Sequence, residues 1–142
     1  MSSELPADRI SRHVSVWIGV PASRAYSFAS DPRHLPLWAA GLAQGEIHEV
    51  DGTWTTTSPM GEVTVVFAPD NDYGVLDHTV RLPDGTAFYN PMRVVPGGGD
   101  QADCEVVFSV RRREGMTESE FDGDVAAVAA DLATLKRLLE KR

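Results

Sequence analysis

Cysteine is almost absent: Cys104 stands alone, which excludes an internal disulfide and agrees with a reducing compartment. Also missing is any run long and apolar enough to cross a membrane, and Met1 to Asp8 lacks the basic-then-apolar pattern of a signal peptide. The expected location is therefore the cytoplasm. Positive charge is scarce too. With 13 Lys and Arg against 21 Asp and Glu, the net charge of -8 argues against holding nucleic acid or an anionic membrane through a general field. Only Arg111-Arg112-Arg113 is locally basic, and a solvated strand end accounts for it more simply than an anion site. His13, His34, His48 and His78 are scattered without metal-ligand spacing, and Asp70-Asn71-Asp72 lacks the rest of a calcium loop. No Gly-x-Ser-x-Gly, phosphate-binding loop or dinucleotide fingerprint occurs. No metal and no cofactor is implied.

What remains is a chain of 142 residues, 42% hydrophobic, enough for one globular domain with a real core over residues 1–142. Its last stretch, Thr117 to Arg142, reads as one long amphipathic helix. Thr117 and Glu120 form a capping box, Met116 and Phe121 stand at the positions of a hydrophobic staple, and the helix should start near Glu118. Phe121, Val125, Val128, Leu132, Leu135 and Leu139 recur at alternating spacings of four and three, so one stripe is buried. Acidic residues crowd its start and basic ones, Lys136 to Arg142, its end, as the helix dipole favours. Ala126, Ala127, Ala129, Ala130 and Ala133 make the middle small-sided. Either space is left beneath them, or they are surface positions filled by the best helix former.

Upstream, Ile10 to Val20 alternates as a first strand, with Val14, Val16 and Ile18 on one face and His13, Ser15 and Trp17 on the other. Pro21 opens a short helix through Ala29; Asp31-Pro32 opens a second, carrying Leu35 and Trp38, which Gly41 stops. Then come six antiparallel strands: Glu46 to Val50, Thr53 to Ser58, Glu62 to Ala68, Gly74 to Leu82, Thr86 to Val95 and Asp103 to Arg113. Turn residues separate them, and no repeat or linker interrupts the meander.

This order, with Val14-Ser15-Val16-Trp17-Ile18-Gly19-Val20-Pro21-Ala22, Ser30-Asp31-Pro32 through Leu37-Trp38, Asp131-Leu132 and Leu135-Lys136-Arg137-Leu138, resembles the START-like superfamily, also called SRPBCC or Bet v 1-like. Within it the chain is similar to the polyketide cyclase/dehydrase and lipid-transport group, over about residues 8 to 142. The resemblance implies an α+β helix-grip fold: a seven-stranded antiparallel sheet curved around the long carboxy-terminal helix, two short helices after the first strand, and a ligand cavity between sheet and helix. Members include lipid and hormone carriers, cyclases and protein-binding modules, and fold alone does not choose among them.

Strand parity places polar groups on the inner face. His78 shares a face with Leu76, Val80 and Leu82, and Asn90 shares one with Phe88, Met92 and Val94. A three-residue Pro83-Asp84-Gly85 hairpin pairs Leu82 with Thr86, and hence Val80 with Phe88, His78 with Asn90 and Leu76 with Met92. If Val94 pairs with Cys104, Phe108 falls beside Asn90. Two readings of the His78–Asn90 pair stand: the two groups satisfy each other in a core, or they offer a mostly apolar ligand one oriented polar contact, with His78 as general acid or base. Trp38, Trp54, Phe67, Phe88, Met92, Phe108, Val128 and Leu132 are the expected walls of the cavity. Cys104, in line with Val106 and Phe108, is expected to be inert core.

Three functions are compatible with this pattern. The first is binding of an apolar small molecule such as a lipid, polyketide or aromatic metabolite. The second is a cofactor-independent cyclase or dehydratase using His78 and Asn90. The third is a protein-interaction module on the outer face of the sheet, with Trp17, Tyr89 and Val107 facing outward. Oligomeric state is left open.

Overall fold

The alternation in residues 10–20 becomes strand β1, Ser11–Ile18, which turns Val16 and Ile18 inward and leaves Trp17 half exposed on the outer face. In this computed structural model residues 9–40 and 42–141 are described; the stretch Met1–Asp8, the expected helix stop at Gly41 and the terminal Arg142 lie outside them. Pro21 opens helix α1, Ala22–Ala29, whose Ala25 and Ala29 let the helix sit close against the core. Asp31 caps the next segment by accepting the Arg33 N–H at 3.0 Å. That segment is a 3₁₀ turn, Pro32–His34, followed by a single α turn, α2, Leu35–Trp38. Two prolines in five residues remove the N–H groups a longer helix would need.

The strands that follow are β2, Ile47–Val50; β3, Thr53–Ser58; β4, Gly61–Phe67; β5, His78–Arg81; β6, Ala87–Asn90; β7, Met92–Pro96; and β8, Cys104–Arg111. Strands β2 to β6 pair in chain order, while β8 lies between β1 and β7. All pairings are antiparallel.

There are eight strands rather than the expected seven, and the reason is one residue. The run from Thr86 to Val95 breaks at Pro91, which has no N–H to give the ladder. Opposite the break, the Asp77 carboxylate takes over the backbone's role: it accepts the Met92 N–H at 2.9 Å, the Tyr89 hydroxyl at 2.5 Å and two Arg93 N–H groups at 2.9 and 3.1 Å. Beyond Asp77 the pairing resumes with a bridge between Val75 and Arg93, which carries the surface from one sheet to the next.

The first hairpin register agrees with the turn argument: Val80 faces Phe88 and His78 faces Asn90, with Gly85 at φ +91° and its N–H bonded to the Leu82 carbonyl at 3.0 Å. The second hairpin does not. Strand β7 runs on through Pro96, so Pro96 rather than Val94 pairs with Cys104, and Phe108 faces Met92 instead of Asn90. A tight loop allows this, with Gly98 and Gly99 at positive φ and the Gly97 N–H bonded to the Asp103 carbonyl at 3.0 Å. The shift is two residues, an even number, so every side chain keeps its face.

Helix α3, Glu118–Glu140, crosses the concave side. Its capping box is formed, with the Glu120 N–H on Thr117 Oγ1 at 3.0 Å and the Thr117 N–H on Glu120 Oε1 at 2.8 Å. Phe121, Leu132, Leu135 and Leu139 are buried against Ile18, Leu76, Met92 and Val106. Both ends are tied by polar groups. Near the start Arg12 pairs with Asp122 at 2.9 Å and Arg113 with Asp124 at 3.2 Å. Near the end Glu140 accepts the Gly19 N–H at 2.7 Å and Lys136 donates to the Trp17 carbonyl at 2.8 Å. The alanines of the middle are exposed, and of them only Ala127 borders the space beneath the helix, so most of them do not leave space below.

Candidate functional site

Between these ties α3 leans over a cavity of about 170 Å³. The sheet supplies His78 and Val80 from β5, Phe88 and Asn90 from β6, and Phe108 from β8. Helix α2 supplies Leu35 and Trp38, and α3 supplies Val128, Asp131 and Leu132. Arg111, Arg113 and Asp124 also border it. Of the expected walls, Trp38, His78, Phe88, Asn90, Phe108, Val128 and Leu132 line this space. Trp54, Phe67 and Met92 are not among its walls. Met92 is wholly buried core, and Phe67 reaches the site only through His78, its ring centroid 5.0 Å from the imidazole. Trp54 shares its face with Thr56 and Ser58, whose hydroxyls are used up on the Glu46 and Gly61 carbonyls at 3.1 and 3.0 Å. That mixed face holds strands together and does not border this cavity.

His78 is 3% exposed, and its Nδ1 lies 3.0 Å from the Leu76 carbonyl. A carbonyl only accepts, so Nδ1 carries the proton and Nε2 holds a lone pair. Burial lowers the imidazole's pKa, outweighing the Leu76 carbonyl and the Asp77 charge, so the ring is neutral. Among the described residues nothing hydrogen-bonds Nε2 or the Asn90 carboxamide. The pair does not satisfy itself: the Leu76 carbonyl, two residues upstream, accepts the hydrogen bond from the ring N–H. Phe67 tilts against one side of the ring, and Phe108 meets it edge-on with centroids 5.7 Å apart. The imidazole is thus held by its neighbours in one orientation.

Two further polar groups belong to the site. Trp38 is 3% exposed, and its indole N–H has no hydrogen-bond partner among the described residues. Asp131 is half-buried in an apolar wall, and loss of water raises its pKa to about 6, only partly offset by the Ala40 backbone N–H. Asp131 is a residue the sequence reading left out. The signal was there: it stands three residues after Val128 and four before Leu135, on the buried stripe, where a solvated aspartate has no reason to be.

The three arginines divide their work. Arg113 lies over the Phe88 ring, 4.2 Å from its centroid, and pairs with Asp124. Arg111 lies 5.9 Å from the Tyr89 centroid, and Arg112 donates to the Met116 carbonyl at 3.2 and 3.3 Å. Arg112 and Arg113 are thus engaged, whereas Arg111 has no ion-pair partner among the described residues. Cys104 is wholly buried, and burial raises its thiol pKa, which makes it a poor nucleophile. Among the described residues no group of His, Cys, Asp or Glu is placed to hold a metal ion, and no helix is long and apolar enough to cross a membrane.

No family model matches the chain. No curated protein matches it either. Solved structures do. The protein XoxI from Bacillus cereus superposes with a TM-score of 0.68 at 13% identity, over 91% of this chain and 94% of that one. Truncated norcoclaurine synthase from Thalictrum flavum superposes with a TM-score of 0.64 at 19% identity, over 98% of this chain and 99% of that one. The chain has the helix-grip fold. At these identities the likeness to the Bet v 1-like, START-like proteins is one of architecture, and it agrees with the resemblance carried by the sequence. DynU16, a protein from the dynemicin biosynthetic locus, matches with a TM-score of 0.68 at 17% identity, over 96% of this chain but only 48% of its own. In this helix-grip chain the grip is tight at both ends of α3 and open in the middle, where His78, Asn90, Trp38 and Asp131 meet.

Proposed function

We propose that the protein binds a small, largely apolar molecule between the curved sheet and α3. The observation that carries this is a cavity of about 170 Å³ whose aromatic walls surround His78 Nε2 and the Asn90 carboxamide, neither of which has a hydrogen-bond partner among the described residues. Cavities of about 150 Å³ with apolar linings accept benzene-sized molecules. A one-ring metabolite is therefore the fitting size, and a lipid or multi-ring polyketide would have to extend through the mouth beside Arg113 and Asp124. Binding of ethylbenzene and indole, followed by ligand-observed NMR, tests this, together with native mass spectrometry of gently purified protein. Saturable binding of either probe, or a copurifying small molecule, is the expected result. An unoccupied protein that takes neither probe overturns it.

A second reading has its own observation. His78 is neutral, oriented, and presents Nε2 as a base towards a space where Asn90 could orient a carbonyl. In this reading the protein is a cofactor-independent enzyme of the cyclase or dehydratase kind. Its first step takes a proton from the carbon beside a ketone to Nε2. Incubation with acetophenone in heavy water should then place deuterium on the methyl group. His78→Gln should stop exchange while acetophenone still binds, and exchange that survives the substitution removes His78 from the chemistry.

A further inference from the structure

The polar groups of the cavity differ in what they ask of a ligand. Asn90 offers both a donor and an acceptor. His78 Nε2 and the Asp131 carboxyl, on opposite walls, are acceptors when the carboxyl is ionised. The titratable or charged groups bordering the cavity are His78 from β5, Arg111 at the end of β8, Arg113 beyond it, and Asp124 and Asp131 from α3; α2 contributes none. Arg113 is held by Asp124 and Phe88, and Arg111 lies over Tyr89. No cation of the described chain is thus paired with Asp131.

Resting on the binding reading above, we infer that the ligand carries a protonated amine beside an aromatic ring, and that Asp131 receives the amine. Three observations converge on a cation rather than on a neutral carbonyl compound. A carboxylate stands half-buried in a largely apolar wall with no ion-pair partner among the described residues, an arrangement that is costly until a cation arrives. Trp38, Phe88 and Phe108 line the cavity, and aromatic rings attract cations, as Arg113 over Phe88 already shows. And the whole chain, at -8, draws cations towards it. A ring of the size the cavity admits would fill the space between Phe88 and Leu132, leaving the amine to reach α3.

Phenethylamine is ethylbenzene with a charged nitrogen added at the end of its side chain, so the two are the probes. Phenethylamine stays protonated throughout the acidic and neutral range, and burial favours the neutral form of His78, so the comparison with Asp131→Asn isolates the carboxyl's part of the pH response. Measured by NMR titration, phenethylamine should bind about tenfold or more tightly than ethylbenzene, and should bind more tightly at about pH 7.5 than at about pH 5, because only the ionised carboxylate pairs with it. Asp131→Asn should remove that advantage and that pH dependence, bringing the amine's affinity down to that of ethylbenzene for the same variant. The same substitution should raise the melting temperature of the empty protein by a few degrees at neutral pH but not at about pH 4, where both forms are uncharged. If ethylbenzene binds and the amine gains nothing over it, or if Asp131→Asn leaves the amine's affinity unchanged, the amine is ruled out and the apolar pocket stands. If neither probe binds, both readings fall.

Discussion

Two aspartates show how one residue type takes opposite roles according to its neighbours. Asp77 and Asp131 both lose water on folding, which by itself raises a carboxyl's pKa. At Asp77 hydrogen bonds from Arg93, Tyr89 and the Met92 N–H outweigh burial and hold the pKa at about 2. At Asp131 only the Ala40 N–H opposes burial, and the pKa rises to about 6. The signs of their contributions to stability follow. A lowered pKa adds stability that is fully present above the unfolded value of 3.8 and is lost as pH falls towards 2. Asp77→Asn should therefore lower the unfolding free energy by on the order of 2 kcal/mol at neutral pH. Urea titrations of the two proteins should converge as the pH falls below 3.8 towards 2. A gap that stays constant with pH would mean that the charge of Asp77 is not what closes the Pro91 break. A raised pKa works the other way: stability is full below 3.8 and is lost as pH rises through about 6, so the unliganded protein is less stable because of Asp131. Residues that cost stability and line a cavity are the ones a ligand-binding role explains.

Among the elements, α3 shows most clearly what was legible and what was not. Its start, its stripe and its charge order are local properties, each fixed within a few residues by capping and by the 3.6-residue period, and all are found where the sequence places them. Its alanines were ambiguous because small side chains suit both a close contact and a solvated face, and only the tertiary structure shows that they are exposed, with Ala127 at the border of the cavity. Gly123 makes a quantitative test of the same helix. A methyl group added there meets nothing within 4 Å, so Gly123→Ala should gain about 1 kcal/mol of helix propensity with no steric loss. Thermal melts should show a rise of roughly 2–4 °C. Thr117→Ala should lower stability by about 1 kcal/mol by removing the hydroxyl that accepts the Glu120 N–H. Should both changes prove silent, the first turn of α3 would be frayed in solution and the tie between Arg113 and Asp124 would not hold the mouth of the cavity.

At the scale of the whole molecule, faces were easier to read than registers. Strand parity put His78, Phe88, Asn90 and Phe108 on the inner side and was right for each, because a period of two survives any even slip. The hairpin at Pro83-Asp84-Gly85 was readable down to its register because Gly85 alone suits the left-handed position. The hairpin at Gly97 to Ala102 was not, since three glycines permit several loop lengths and the choice is made by packing of β7 on β8. Nor could sequence separate cavity from core. Trp54, Phe67 and Met92 are apolar and inward like the lining residues, and whether such a residue meets empty space or another side chain depends on where α2 and α3 come to rest. The emptiness itself can be tested. Val128 is partly buried and faces the cavity from α3, so Val128→Phe would place a ring in space the protein now leaves open. In a filled core the extra volume would cost about 1–3 kcal/mol, whereas filling a real cavity commonly gains about 0.5–2 kcal/mol. The expected outcome is a protein at least as stable as the original that no longer binds ethylbenzene. Lower stability with binding retained would mean that the space beneath α3 is not where the ligand goes.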